Sequence, residues 1–548
     1  MQSLETSNTS LKKDRRYAAP IFIACLVLIV WTGFGVGYTS DEGFYRTSGE
    51  NNLVWFFKVV TQGTGAFHRD VISYHWSPTD RHPPLPKMFI GLSMHIFGFA
   101  LGPVAASRLA SALFFVTILA VVYFWMAKEY GRPAGVVAAL FVLLCPRVFG
   151  HAHIAALDIP MAAMTLLVTL AFVYGLKRPA YAILFGVALG LAFLTKINAI
   201  MLPFPLLLWG IIVKPKAALR TLAIGIPVAA ATMLIAWPWL WLNPFANAYD
   251  YFSWHSTHPW IGVYYFGKAY ATPPAPWHYP FTMTGLTIPP TMLALLAVGV
   301  VAAFFDRSRL RISLLLLISA LVPMIAISLP WSPVYDGVRL FLPAFPFMAC
   351  LAGIGFAHLV RVVTKILPRI KKRPVFRYAV PVVLGLIVVI PAAVSLARIH
   401  PYYLSYYNAL IGGPRGAEKA GMETTYWGDA CNGQVLEYLN KNLPPRATIL
   451  YYSMCYNMHA YGHMRCNNIR KDFHLISDLD LGGEKHTVAD YIVLNCRKGT
   501  FSTLTWNLYL NRDPCFRPIK TFRVDGVPLI MILERKNPEE TSAVTPDG

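Results

Sequence analysis

This chain is short of charge. Only 27 of its 548 residues are Asp or Glu and 14% are charged in all, whereas 56% are hydrophobic, 14% are aromatic and the mean hydropathy is +0.48. That balance excludes an ordinary soluble globular protein. Glycine-rich phosphate cradles are missing as well: the chain has no P-loop and no GxGxxG, which removes the common nucleotide-binding classes. Its eight cysteines include no CxxC and no Cys/His spacing of a zinc site, and there is no internal repeat. A polytopic α-helical membrane protein remains.

Apolar runs supply the positive signal. Runs of about 20 residues, long enough to cross a hydrocarbon core of about 30 Å, fall near 17–38, 104–127, 133–150, 155–176, 179–195, 197–213, 219–241, 284–305, 311–329, 338–360 and 377–398, about eleven in total. Residues 86–100 are apolar but short and contain Lys87 and His95; they are expected to be re-entrant or interfacial. With that choice the basic connections around Lys128/Arg132, Lys177/Arg178, Lys214/Lys216/Arg220, 306–311 and 361–377 share the side of Lys12, Lys13, Arg15 and Arg16. The positive-inside rule makes that side cytoplasmic, with 1–16 as a tail before a retained signal anchor. The net charge of +21 resides almost wholly in the membrane part, because residues 399–548 carry 16 Lys and Arg against 15 Asp and Glu. Such a charge reports loops facing anionic lipid, and nucleic acid is not an expected partner.

The outer face then receives 39–86, 151–158, 242–283, 330–337 and everything after 398. Three domains follow: the tail 1–16, a membrane domain 17–398 whose outer loop 39–86 carries interfacial helices, and an outer α+β domain 399–548. Short apolar stretches at 448–452, 491–494 and 529–533 read as its strands, and 431–443 as an amphipathic helix. Cys431, Cys455, Cys466, Cys496 and Cys515 lie there; one or two structural bridges plus buried thiols are expected in an oxidising compartment.

Candidate chemistry collects on the same face. In Thr39-Ser40-Asp41-Glu42 a capping box, with Glu42 reaching back to Thr39, explains Glu42 and leaves Asp41 over. Asp41, partly desolvated beside the membrane, suits a general base. Asp158 precedes Ile-Pro at the start of an apolar helix; it can cap that helix or present a carboxylate to a ligand. His151 and His153 are two apart, which is not the i, i+4 spacing of two ligands on one helical face; with Asp41 and Asp158 they are the only candidate metal ligands. Arg81, His82 and Lys87 surround a rigid proline turn that suits a phosphate group or lipid headgroups. Arg339 opens a late span on the outer side, where it can offer its planar fork to phosphate or pair with Asp336. Lys196 is a weaker candidate of the same kind. The aromatic loop 242–283 fits an interfacial belt or an acceptor groove.

Together these positions resemble the lipid-phosphosugar-dependent glycosyltransferases of the GT-C fold, especially the dolichyl-phosphate-mannose protein mannosyltransferases and the bacterial aminoarabinose transferases. Asp41-Glu42 looks like that group's acidic pair. His82-Pro-Pro-Leu-Pro-Lys87 is similar to its HPPLGK stretch, with Pro86 in place of glycine; 149–160 looks like its second acidic site and 339–346 like its RYLLPxxP. Residues 400–413 resemble the junction to the outer domain of the bacterial members. The resemblance covers about 20–430 and lacks a WWDYG-type signature, Trp427-Gly428-Asp429 being too short to count. It implies an integral protein of a bacterial inner membrane or endoplasmic reticulum, taking mannose or a related hexose from a polyprenyl- or dolichyl-phosphate donor to a protein, lipid or glycan hydroxyl. It further implies Asp41 as base, Asp158 as orienting acid or joint ligand of a divalent cation, and Arg339, Lys87 and Arg81 at the lipid phosphate. The rival reading is a transporter or flippase, against which stand the lack of mid-membrane acids and of inverted repeats.

Overall fold

Apolar helices form the body of the protein and a small sheet closes one end. The computed structural model describes residues 19–78, 81–256, 261–272, 274–366, 374–452, 469–477 and 486–537, excepting the side chains of 374–377. The expected tail 1–16, Cys455 and Cys466 lie outside the described residues. Six described helices are long and apolar enough to cross a membrane: Pro103–Tyr130, Asp158–Gly175, Pro215–Ala236, Leu310–Ile327, Arg339–Ile366 and Tyr378–Ile399. A seventh is the pair Arg132–Leu144 and Pro146–Ala152, bent by 72° where Cys145 precedes Pro146. Shorter apolar helices occupy the other expected spans, at Ala19–Gly33, Pro179–Phe193, Ile197–Val213 and Pro290–Phe305, so each of the eleven has a helix. The protein is a multi-pass integral membrane protein.

Loop 39–86 folds into Ser40–Gln62, a 3-10 turn at Gly63–Phe67 and Arg69–Trp76. Its first helix lies against Leu85–Leu101 with backbones nearly touching: a Cβ on Gly49 would meet the Lys87 carbonyl oxygen at 2.3 Å, and one on Gly91 the Gly49 oxygen at 2.3 Å. Only glycine permits that approach, and it fixes Lys87 relative to Asp41 on the neighbouring helix. Loop 242–283 contains helix Pro244–Ser256 and the hairpin β1 (Val263–Tyr265) and β2 (Lys268–Tyr270).

After the last long helix, Asn408 anchors the chain by donating from Nδ2 to the carbonyls of Gly285 and Ile288, at 2.7 and 2.8 Å. Residues 422–432 then run buried throughout, and helix Gly433–Asn442 follows, its N-terminus capped by the Asn432 side chain. The sheet comprises β3 (Thr448–Tyr452), β4 (His474–Ser477), β5 (Tyr491–Asn495), β6 (Phe516–Val524) and β7 (Val527–Arg535), in the order β4-β3-β5-β7-β6. β3 is parallel to both β4 and β5, whereas β7 is antiparallel to β5 and β6. All three expected strands are present; β4 and β6 were not expected, since β6 alternates mostly exposed residues and carries no apolar run. Cys431, Cys496 and Cys515 are free thiols, so no bridge joins the described cysteines of this region.

Candidate functional site

The 3-10 segment Arg339–Ala344 carries its first residue into a buried pocket of acids. The Arg339 guanidinium donates from Nη2 to Asp41 Oδ2 at 2.7 Å, from Nη1 to Asp336 Oδ2 at 3.0 Å and from Nε to Asp158 Oδ2 at 3.3 Å. Its face lies 3.4 Å from the Trp427 ring centroid, a desolvated cation–π contact worth about 2 kcal/mol. Asp158 takes a second cation, Lys196, whose Nζ is 2.6 Å from Oδ1. Asp336 takes another, Arg497, at 2.9 Å from its Oδ1. Three carboxylates thus face three cations in a region closed to water. Asp41 is the exception: its side chain is 24% exposed, against 2% for Asp158 and 4% for Asp336.

Backbone geometry holds this cluster in place. Asp336 and Gly337 both adopt left-handed φ, 53° and 65°, a conformation Asp tolerates and Gly adopts freely. A Cβ on Gly337 would meet Arg147 Nη1 at 2.2 Å, so the turn admits no side chain there. Of the two alternatives for Arg339, the pairing with Asp336 is present. Asp158 does not cap its helix: Leu157 occupies the cap position without a side-chain bond, and the carboxylate turns to Lys196 and Arg339 instead.

Glu42 is placed elsewhere. It completes the capping box by accepting from the Thr39 N–H at 2.9 Å, and it receives Arg108 through Nε at 2.8 Å and Nη2 at 3.0 Å, and the Ala155 N–H at 3.0 Å. Arg108 in turn donates to the carbonyls of Gly33, Val36 and Gly37, satisfying acceptors left open where the first helix ends. The geometry makes Glu42 a clamp, correcting its expected place among the reacting groups.

Of the basic turn, Lys87 is buried, His82 half-buried and Arg81 exposed. Lys87 Nζ donates to the His82 carbonyl at 2.7 Å. Burial, and after it the cationic groups Lys196, His255, Lys87 and Arg339, hold the His82 imidazole well below its usual pKa, so it is neutral at pH 7. The same influence marks Lys87, Lys196 and Arg339 as one electropositive neighbourhood. Arg81 corrects another expectation: it is exposed and pairs with exposed Asp250 at 3.0 Å, away from Arg339.

The two histidines have different surroundings. His153 is consumed by the Phe149 carbonyl at Nδ1, 2.6 Å, and Thr32 Oγ1 at Nε2, 2.8 Å, while His151 lies buried with its ring 6.0 Å from Trp427. Among the described residues no group of three or more His, Cys, Asp or Glu converges as a metal cage. Asp41 accepts through Oδ2 from Arg339, and Asp158 through Oδ1 from Lys196 and Oδ2 from Arg339.

Residues 81–241, which include His82, Lys87, Arg108, Asp158 and Lys196, match the family described as dolichyl-phosphate-mannose-protein mannosyltransferase. In three dimensions the chain is similar to ArnT from Cupriavidus metallidurans in its apo state, at 16% identity and a TM-score of 0.50, covering 96% of this chain and 99% of that one. The fold is GT-C. ArnT bound to undecaprenyl phosphate is similar at 15% identity and a TM-score of 0.49, covering 94% and 97%. An oligosaccharyltransferase from Archaeoglobus fulgidus, tethered to an acceptor peptide, is similar at 12% and 0.43, covering 82% and 59%. No curated protein sequence matches the chain significantly. The similarity to ArnT in its apo state spans the helical body and the sheet-containing C-terminal region together.

Sequence reasoning passed over Arg108 and Arg497 and set Trp427 aside as part of too short a signature. Arg108 carried a usable signal, being a cation inside an otherwise apolar span. Trp427 and Arg497 carried none, because they reach the site through the tertiary placement of the sheet.

Proposed function

We propose that this protein is an inverting glycosyltransferase, moving a hexose such as mannose from a polyprenyl- or dolichyl-phosphate donor to an acceptor hydroxyl on the outer face of the membrane. The observation that carries the reading is the accessible Asp41 carboxylate bonded to a buried arginine. Asp41 takes the proton of the acceptor hydroxyl, whose oxygen attacks the anomeric carbon from the side opposite the phosphate. The bond between that carbon and the phosphate oxygen breaks, and the lipid phosphate departs with one more negative charge than it had as a diester. Arg339, fixed between Trp427 and its acids, meets that charge along the edge it shares with Asp41, with Lys196 and Lys87 adding positive potential. Asp158 holds Arg339 and Lys196 in register.

The match to the dolichyl-phosphate-mannose family supports the donor class. Reconstituted protein, given radiolabelled polyprenyl-phosphate mannose and a panel of protein, lipid and glycan acceptors, should release free polyprenyl phosphate and label an acceptor. Movement of intact donor across the bilayer, with no bond cleaved, would instead favour a flippase.

A further inference from the structure

The sheet region does more than cover the membrane body. At the C-terminal end of β5, Asn495 donates to the Tyr426 carbonyl at 3.1 Å and accepts from Thr425 Oγ1 at 3.2 Å, fixing the strip that presents Trp427 to Arg339. Two residues on, Arg497 reaches Asp336 Oδ1, while the other oxygen of Asp336 accepts from Arg339. The sheet therefore touches both the face of Arg339 and the acid behind it. Arg497, Asp336 and Arg339 are all buried, with side chains 3, 4 and 7% exposed, so their charges are poorly screened.

Resting on the glycosyltransferase reading, we propose that Arg497 is a positioning residue: by sharing Asp336 it balances an acid that would otherwise bind Arg339 too tightly, leaving Arg339 free to meet the donor phosphate beside Asp41. Without Arg497 the cluster holds three carboxylates against two cations. Asp336, relieved of its second cation, then competes with an arriving phosphate for the same guanidinium. The effect passes through Asp336, and Arg497 itself touches no substrate.

The test uses the full chain in nanodiscs, with two readouts: donor KM and kcat, and binding of undecaprenyl phosphate alone. Arg497→Met should raise donor KM and weaken undecaprenyl phosphate binding about tenfold, and Arg497→Lys should recover both to within about threefold. Against an Asp336→Asn background the same Arg497→Met change should cost less than about twofold, since the acid it balances is gone. Equal losses in both backgrounds, or none, would overturn the proposal. If Arg497→Met does not fold, Arg497→Lys and the charge-balanced double variant decide: near-native binding by both supports the role, and tenfold weakening in each refutes it. Weakened lipid binding without any sugar transfer by the native protein would sink the glycosyltransferase reading and leave the positioning role standing; normal transfer by Arg497→Met would do the reverse.

Discussion

Glu42→Gln should unfold this protein far more readily than Asp41→Asn, although the two acids are adjacent. Glu42 accepts five hydrogen bonds, two from Arg108, two from Thr39 and one from the Ala155 N–H. An amide in its place keeps one acceptor and turns an NH2 toward groups that are themselves donors. Arg108 is left buried without its counter-charge, a change that costs about 3–5 kcal/mol. The loss spreads, because Arg108 also ties down the carbonyls of Gly33, Val36 and Gly37 at the exit of the first helix. Asp41 is partly exposed and one of three acids on Arg339, so its amide variant keeps most of that cluster. Thermal unfolding in detergent, followed by intrinsic fluorescence, should show Tm lowered by at least about 5 °C for Glu42→Gln and by less than about 2 °C for Asp41→Asn. Equal shifts would refute the division of labour.

The buried strip 422–432 should make the protein less stable at neutral pH than in mild acid. Burial pushes the carboxyls of Glu423 and Asp429 up to about 7. For acids raised in this way the stabilisation is fully present below about pH 4 and is lost as pH rises through about 7, on the order of 3 kcal/mol for each. Tm should fall between pH 5 and about 7, and the fall should shrink in Glu423→Gln; a rise across that range would contradict the assignment. Arg81→Ala should leave donor KM and kcat within about twofold, because an exposed pair with Asp250 is worth at most about 1 kcal/mol. A tenfold rise in donor KM would return Arg81 to the phosphate site.

Much of this arrangement is legible in the sequence wherever one local pattern decides it. Apolar length locates a helix at each of the eleven expected positions, and Thr39 to Glu42 announces a capping box that the structure contains. Asp41, Asp158 and Arg339, far apart in the chain, are each marked as polar groups at the ends of apolar helices, and the fold brings them together. Asp158 shows where local rules fail: its sequence is good capping chemistry, but two cations outcompete the backbone for its oxygens. Arg81 and Lys87 belong to one motif, yet the close approach of Gly49 and Gly91 buries only Lys87 beside the site. Trp427 and Arg497 depend on how a five-stranded sheet docks, and no periodicity encodes that.

The central claim is that Asp41 removes the acceptor proton, and turnover of Asp41→Asn with a radiolabelled polyprenyl-phosphate sugar tests it most directly. Loss of the base predicts kcat lowered by about 10²–10⁴, with Tm and undecaprenyl phosphate binding close to native. Turnover near the native rate would contradict the claim.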